Sequence, residues 1–232
     1  MKRYIAAFTL ILFLVSCGGK SEKTMTVSGT IDGLKKGTLY LQHIKDSTLA
    51  TIDSLELRGD GSFTFSHEIE SPQLFYLYLK KADNNDINDR ITFFGEPSEI
   101  FIKTKWNTFD ALPEISGSAS HESYSKCLEM LSKFNKRELE LKRAGLSQEI
   151  QNDSVAFDSI VELSNRNIIS KYRYVLNFAL NNPDSYVTPY LALHEASDAN
   201  PKYLDSINRA LVPEVAQSKY GRALNAYVQS IK

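Results

Sequence analysis

Three histidine–glutamate neighbours are the first residues that could carry chemistry: His67-Glu68, His121-Glu122 and His194-Glu195. A zinc-protease helix needs a second histidine three residues beyond the glutamate, so that both imidazoles share one face. Ser71, Ser125 and Asp198 stand there instead, so none of the three qualifies. His43 stands alone in a strand-like stretch, and all four histidines read as surface or half-buried side chains. Asp83-Asn-Asn-Asp-Ile-Asn-Asp89 is rich in oxygen ligands. A calcium loop of the EF-hand kind requires Gly at its sixth position and Glu at its twelfth. Asn88 and Phe94 occupy those places, so a solvated hairpin loop is expected. Arg58-Gly59-Asp60 spells an adhesion tripeptide but lies where a turn needs Gly and Asp. Gly117-Ser-Ala-Ser-His121 lacks the second glycine of a nucleophile elbow. There is no glycine-rich phosphate loop with a lysine. Glu138-Leu-Glu140 reads as helix-surface charge, and Trp106, the single tryptophan, as packing between two halves of the chain. No catalytic set, metal set or cofactor site emerges, and a non-enzymatic chain is expected.

The N-terminus carries a clearer chemical signal. Lys2 and Arg3 precede an apolar run from Ile5 to Val15, broken only by Thr9. A basic start followed by a short apolar stretch reads as a secretory signal. The run falls short of the roughly 20 apolar residues needed to span a bilayer, and no other segment approaches that length. Leu14-Val15-Ser16-Cys17 resembles the lipobox of bacterial lipoproteins. That resemblance implies cleavage between Ser16 and Cys17 and a diacylglyceryl thioether on the Cys17 thiol. Residues 1–16 are then signal peptide and 17–23 a lipidated, polar tether. Two acyl chains anchor a protein stably, each buried methylene contributing about 0.8 kcal/mol. No Asp follows Cys17, which by the usual sorting pattern of such lipoproteins points to the outer membrane.

Charge excludes one class of partner. The whole chain has 27 Lys and Arg against 28 Asp and Glu. Without residues 1–16, 25 basic side chains face 28 acidic ones, a net charge of −3. A nucleic-acid binder would show a basic excess or stripe, so nucleic acid is not expected. Once Cys17 carries lipid, Cys127 is the only thiol left, with no C-x-x-C for dithiol exchange. Helical spacing puts Cys127 on one face with Tyr124, Leu128 and Leu131, as a buried core thiol.

These side chains hang on two kinds of scaffold. Residues 24–118 alternate in the strand manner, through Thr26–Ile31, Thr38–Ile44, Thr51–Leu57, Ser62–Phe65, Leu74–Leu79, Ile91–Phe94 and Ile100–Ile102. Asp32-Gly33, Gly59-Asp60-Gly61 and Gly95-Glu96-Pro97 separate these runs and read as hairpin turns. From 119 to 232 the apolar spacing becomes helical. Helices are expected at about Ser120–Arg143 and Asp153–Leu180, then Val187–Glu195, Pro201–Ala210 and Tyr220–Ile231. The buried face of the second helix should hold Phe157, Ile160, Val161, Ser164, Ile168, Tyr172, Val175, Leu176 and Ala179. The fold class is therefore α+β: an antiparallel β-sandwich or open barrel followed by a helical hairpin or bundle.

A family resemblance runs along most of the mature chain. It is carried by Val27-Ser-Gly-Thr-Ile-Asp-Gly-Leu34, Leu39–Gln42, Ile52–Ser54, Gly61–Phe65, Phe94-Gly-Glu-Pro97 and Ile115–Ser118. Asn182–Val187 with Pro189–Leu191, and Ser218–Leu224, continue it in the helical half. The pattern resembles the lipoprotein domain-of-unknown-function family numbered 4369. In that family the domain commonly precedes a thioredoxin-like or alkyl-hydroperoxide-reductase-like domain. Two roles follow as expectations. One is an envelope-anchored binding or scaffold module with an envelope protein, peptide or glycan as partner. The other is an accessory that docks a separate thioredoxin-like reductase.

Overall fold

The computed structural model describes residues 22–81 and 89–231. Eight strands come first: β1 (Thr24–Asp32), β2 (Lys36–Lys45), β3 (Thr48–Arg58), β4 (Ser62–Glu68), β5 (Gln73–Lys81), β6 (Asp89–Gly95), β7 (Glu99–Lys105) and β8 (Glu114–Ser116). Seven helices follow among the described residues: α1 (Ala119–Gly145), α2 (Gln148–Gln151), α3 (Ser154–Asn181), α4 (Val187–Glu195), α5 (Pro201–Ala210), α6 (Pro213–Ala216) and α7 (Lys219–Ser230).

The strands form two four-stranded sheets, ordered β4-β1-β7-β8 and β3-β2-β5-β6. The alternation of each strand explains the pairing. Met25, Val27 and Ile31 of β1, Phe63 and Phe65 of β4, and Ile100 and Ile102 of β7 point inward from the first sheet. Leu39, Leu41, Phe75, Leu77, Leu79, Ile91 and Phe93 meet them from the second, and all are buried. All pairings are antiparallel except one: β1 lies parallel to β7, with Thr26 opposite Glu99.

The expected hairpins are placed differently. Asp32-Gly33, Gly59-Asp60-Gly61 and Gly95-Glu96-Pro97 do turn the chain, and Gly33, Gly59 and Gly61 have positive φ. Each of these turns carries the chain from one sheet to the other, so the flanking strands are not partners. An Asp-Gly step specifies left-handed backbone but not which strand pairs next. The tight hairpin joins β2 to β3 through Asp46 (φ 47°) and Ser47 (φ 68°), with Lys45 opposite Thr48. Two consecutive left-handed residues match the twist of antiparallel strands. A second hairpin pairs β5 with β6, Leu79 opposite Asp89. Residues 83–88 of the expected solvated hairpin loop lie outside the described residues. Asp89 itself forms a largely buried ion pair with Lys81.

The helical half begins as a long antiparallel hairpin, α1 against α3. Ser118 caps α1, its Oγ accepting from the His121 amide at 2.9 Å. Asp153 caps α3 by accepting from the amides of Val155 and Ala156. Between the arms, Glu138 accepts from Ser164 Oγ (2.7 Å) and Asn167 Nδ2 (3.2 Å). Glu138 is thus an inter-helix strut, not surface charge, because burial between two helices requires its oxygens to be paired.

Two further expectations are corrected by packing. Phe157 and Val161 of α3 are exposed, since only α1 and the single-turn α2 pack on that end of the helix. Leu128 is also exposed, whereas Tyr124, Cys127 and Leu131 are buried as expected.

Candidate functional site

The two halves meet over the outer surface of one end of the β3-β2-β5-β6 sheet. Leu74 and Phe94, paired across β5 and β6, face outward there. Tyr124, Cys127 and Leu131 of α1, Val175 of α3 and Val187 and Leu191 of α4 pack on them in one apolar cluster. Around Phe94 the rings of Tyr124, Tyr190 and Tyr220 lie at centroid distances of 5.9, 6.2 and 6.1 Å. His194 stacks on Tyr190 at 4.4 Å. Burial pushes the phenols of Tyr124, Tyr190 and Tyr220 upward, so they stay neutral. Burial pulls the His121 and His194 imidazoles down.

Hydrogen bonds fasten this seam to the start of α1. The Phe94 amide donates to His121 Nδ1 at 3.3 Å, and Ser118 Oγ donates to the Phe94 carbonyl at 2.9 Å. The Glu96 carboxylate accepts from the Ala119 amide (2.5 Å), the Ser120 amide (3.3 Å) and Ser120 Oγ (2.5 Å). A carboxylate at a helix N-terminus satisfies donors that have no partner within the helix and opposes the positive end of the dipole. Gly117 precedes this cap at φ 87°, where a Cβ would lie 2.0 Å from the Glu99 carbonyl oxygen.

Beside the seam opens a cleft of about 740 Å³. Its walls are the ends of β2 and β4, the first half of β3, the β4–β5 connection and the first turn of α7. His43 and His67 meet edge to face at 6.3 Å, and His43 stacks on Phe75 at 6.1 Å. The Lys219 ammonium donates to the Ile44 carbonyl (2.5 Å) and Gln73 Oε1 (2.6 Å), which leaves one N–H of its three. Its backbone amide donates to Ser71 Oγ at 3.2 Å. Desolvation lowers the Lys219 pKa, opposed by Asp46. Desolvation also lowers the His43 pKa, and the charges of Lys219, His67 and Lys45 act in the same direction. His43 Nδ1 is buried without a hydrogen-bond partner among the described residues. Asp46, Glu68, Glu70, Lys45 and Arg222 supply charge of both signs at the rim, while Ile44, Ala50, Ile52 and Ile69 add apolar surface. Such a lining suits a polar ligand held by directed hydrogen bonds over an apolar floor.

The residues singled out from sequence are scattered. Of the four histidines, His43 and His67 converge in this cleft, while His121 and His194 lie in the seam. Among the described residues no three of His, Cys, Asp or Glu come together as a metal site. Arg58 and Asp60 sit at a corner between the sheets, Arg58 paired with Glu56 and Asp60 accepting from the Ser62 amide. Trp106 does not pack between the halves. It lies against Gly33, under the Lys81 ammonium at 5.5 Å, and is 42% exposed. The reason is topological: β7 runs away from the helices, so its end lies at the far pole of the sandwich. Cys127 is fully buried beside Tyr174, and burial raises its thiol pKa. Ser16 and Cys17 lie outside the described residues. The parts that sequence reasoning did not bring forward are Lys219, Gln73 and Glu96. A lysine followed by an aromatic at a helix start carried no distinctive pattern.

Residues 25–124 match the model of the family described as "Domain of unknown function (DUF4369)". This segment is similar to that family from the second residue of β1 into α1. The matched segment takes in both sheets and the first turns of α1, so it includes Glu96, Ser118, His121 and Tyr124. It therefore carries its own half of the seam. Of the cleft it supplies every wall except α7. No curated protein and no solved structure matches the chain. Among the described residues no helix is long and apolar enough to cross a membrane.

Proposed function

We propose that this chain is a non-enzymatic module of a bacterial envelope, held at the outer membrane by lipid on Cys17, that binds a protein, peptide or glycan in the cleft at His43, His67 and Lys219. The observation that carries the binding role is the cleft itself, about 740 Å³, whose wall includes the Lys219 ammonium with one N–H beyond its two protein acceptors. A ligand with a hydrogen-bond acceptor would pair that donor. The anchor rests on the Lys2-Arg3 start, the apolar run and the box ending in Ser16-Cys17. The buried Cys127 thiol argues against exchange chemistry in this chain, since a reactive cysteine needs a stabilised, accessible thiolate.

A photo-crosslinking amino acid in place of Thr51, on the cleft wall, tests the binding role in intact cells. The control position is Arg58, at the opposite pole. A discrete adduct from Thr51 and not from Arg58 supports the proposal, and no specific adduct from Thr51 overturns it. A thioredoxin-like lipoprotein as that adduct would make docking of a reductase the role of the cleft. Intact mass of the N-terminal peptide tests the anchor: acylated Cys17 is expected, and Cys17→Ala should leave the membrane fraction.

A further inference from the structure

One flank of the α1–α3 hairpin carries two grooves in which exposed apolar side chains stand among polar ones. Leu128 and Leu139 of α1 line a groove of about 540 Å³ that begins beside Glu195 of α4. Leu146, Phe157 and Val161 line a second groove of about 410 Å³ at the tip. The five side chains are 41–72% exposed. On α1 the positions 128, 131, 135, 139, 142 and 146 recur every three or four residues, so both grooves lie on the same side of the helix. Monomeric proteins seldom leave large apolar side chains grouped in this way uncovered. From Leu128 to Leu146 the flank runs about 27 Å, and two helices are about 20 Å across. Each copy thus offers on the order of 500 Å², which brings a pair near the roughly 1,000 Å² of a specific interface.

Charge on the two helices selects the occupant. On α1, Lys136 lines the first groove and Lys142 the second, with Arg143 next in sequence, and α3 carries Asp158 and Glu162. Lys142 reaches Glu138 only at 3.8 Å, and Glu162 pairs along its own helix with exposed Arg166. Exposed pairs of this kind are worth little and exchange readily. A two-fold axis between Leu139 and Val161 would set the basic side chains of one hairpin on the acidic side chains of the other, as an isologous contact demands. We infer that this flank joins two copies of the chain into a four-helix contact, leaving the cleft of each copy open.

Sedimentation of the chain from Gly18 onward, which keeps every described residue, tests this independently of any cleft ligand. A dimer is expected at micromolar concentration. Leu139→Glu with Val161→Glu should weaken association at least a hundredfold without moving the melting temperature appreciably, because both side chains are already exposed. Lys136→Glu/Arg143→Glu and Asp158→Lys/Glu162→Lys chains should each be weakened alone and should pair when mixed. A wild-type chain that stays monomeric overturns the inference. So does a dimer indifferent to Leu139→Glu/Val161→Glu, or a monomer that uses this flank to bind phospholipid vesicles.

Discussion

Glu96 offers the sharpest test of how the helical half is attached to the strands. Its carboxylate accepts three hydrogen bonds from the first turn of α1. Glu96→Ala removes a side-chain cap, which costs about 1 kcal/mol. It also removes a negative charge from a helix N-terminus, worth about another 0.5–1 kcal/mol in a half-buried setting. The expected loss is therefore about 2 kcal/mol. For a body of this size each kcal/mol shifts the melting temperature by about 2–4 °C, so a fall of about 4–8 °C should follow. Glu96→Gln keeps one acceptor oxygen but puts an NH2 donor where the other carboxylate oxygen accepts, so it loses the charge and at least one of the three hydrogen bonds, and its fall should be smaller than that of Glu96→Ala but not absent. Thermal unfolding by circular dichroism measures both. Hydrogen exchange at the Ala119 and Ser120 amides should speed up in Glu96→Ala before global unfolding. An Ala variant that melts with the wild type, or unchanged exchange at those amides, would refute the capping argument.

Other consequences follow from the same region. Gly117→Ala forces a Cβ against the Glu99 carbonyl and keeps a left-handed backbone, so it should cost about 3 kcal/mol or more in chemical denaturation. Stability should fall in acid: burial lowers the folded pKa of His121, His194 and His43 below 6.5, so their contribution is complete above pH 6.5 and drains as pH drops through the folded values. His121→Gln should flatten that acid limb in a melting series from pH 8 to 5. In alkali the sign reverses. Tyr174 is pushed up to about 12 by burial, and Tyr190 and Tyr220 are raised as well, so stability is whole below pH 10 and lost above it. Absorbance at phenolate wavelengths should rise together with unfolding, and Tyr190→Phe should delay both. Cys127 should resist a disulfide reagent at pH 8 until denaturant is added; labelling of the native protein would contradict its burial.

The helices were the most legible part of the chain. Val187–Glu195 and Pro201–Ala210 fall where they were expected, and Asp153 stands directly before α3. Strand positions were legible from alternation, but partners were not. Gly33, Gly59 and Gly61 record the need for positive φ, which a corner between sheets shares with a hairpin. Gly29 carried a subtler clue: a Cβ there would meet the Ile102 carbonyl at 1.8 Å, the mark of another backbone lying close. Only the fold reveals that the neighbour is parallel β7. The cleft was hidden for a related reason. Its walls come from residues 43–52, 67–73 and 219–222, and no local pattern announces a site assembled across so much chain.

The parallel pairing of β1 with β7 also sets an order of assembly. The β3-β2-β5-β6 sheet is made of neighbours in sequence, apart from β4, and can pair as the chain emerges. β1 sits in the middle of the other sheet and waits first for β4 and then for β7, with Thr26 closing on Glu99 only after the intervening strands exist. Closing so long a loop delays the contact. A chain delivered N-terminus first would therefore hold its first strand unpaired on one edge until most of the β half had followed, and that waiting strand is where a chaperone would be expected to act.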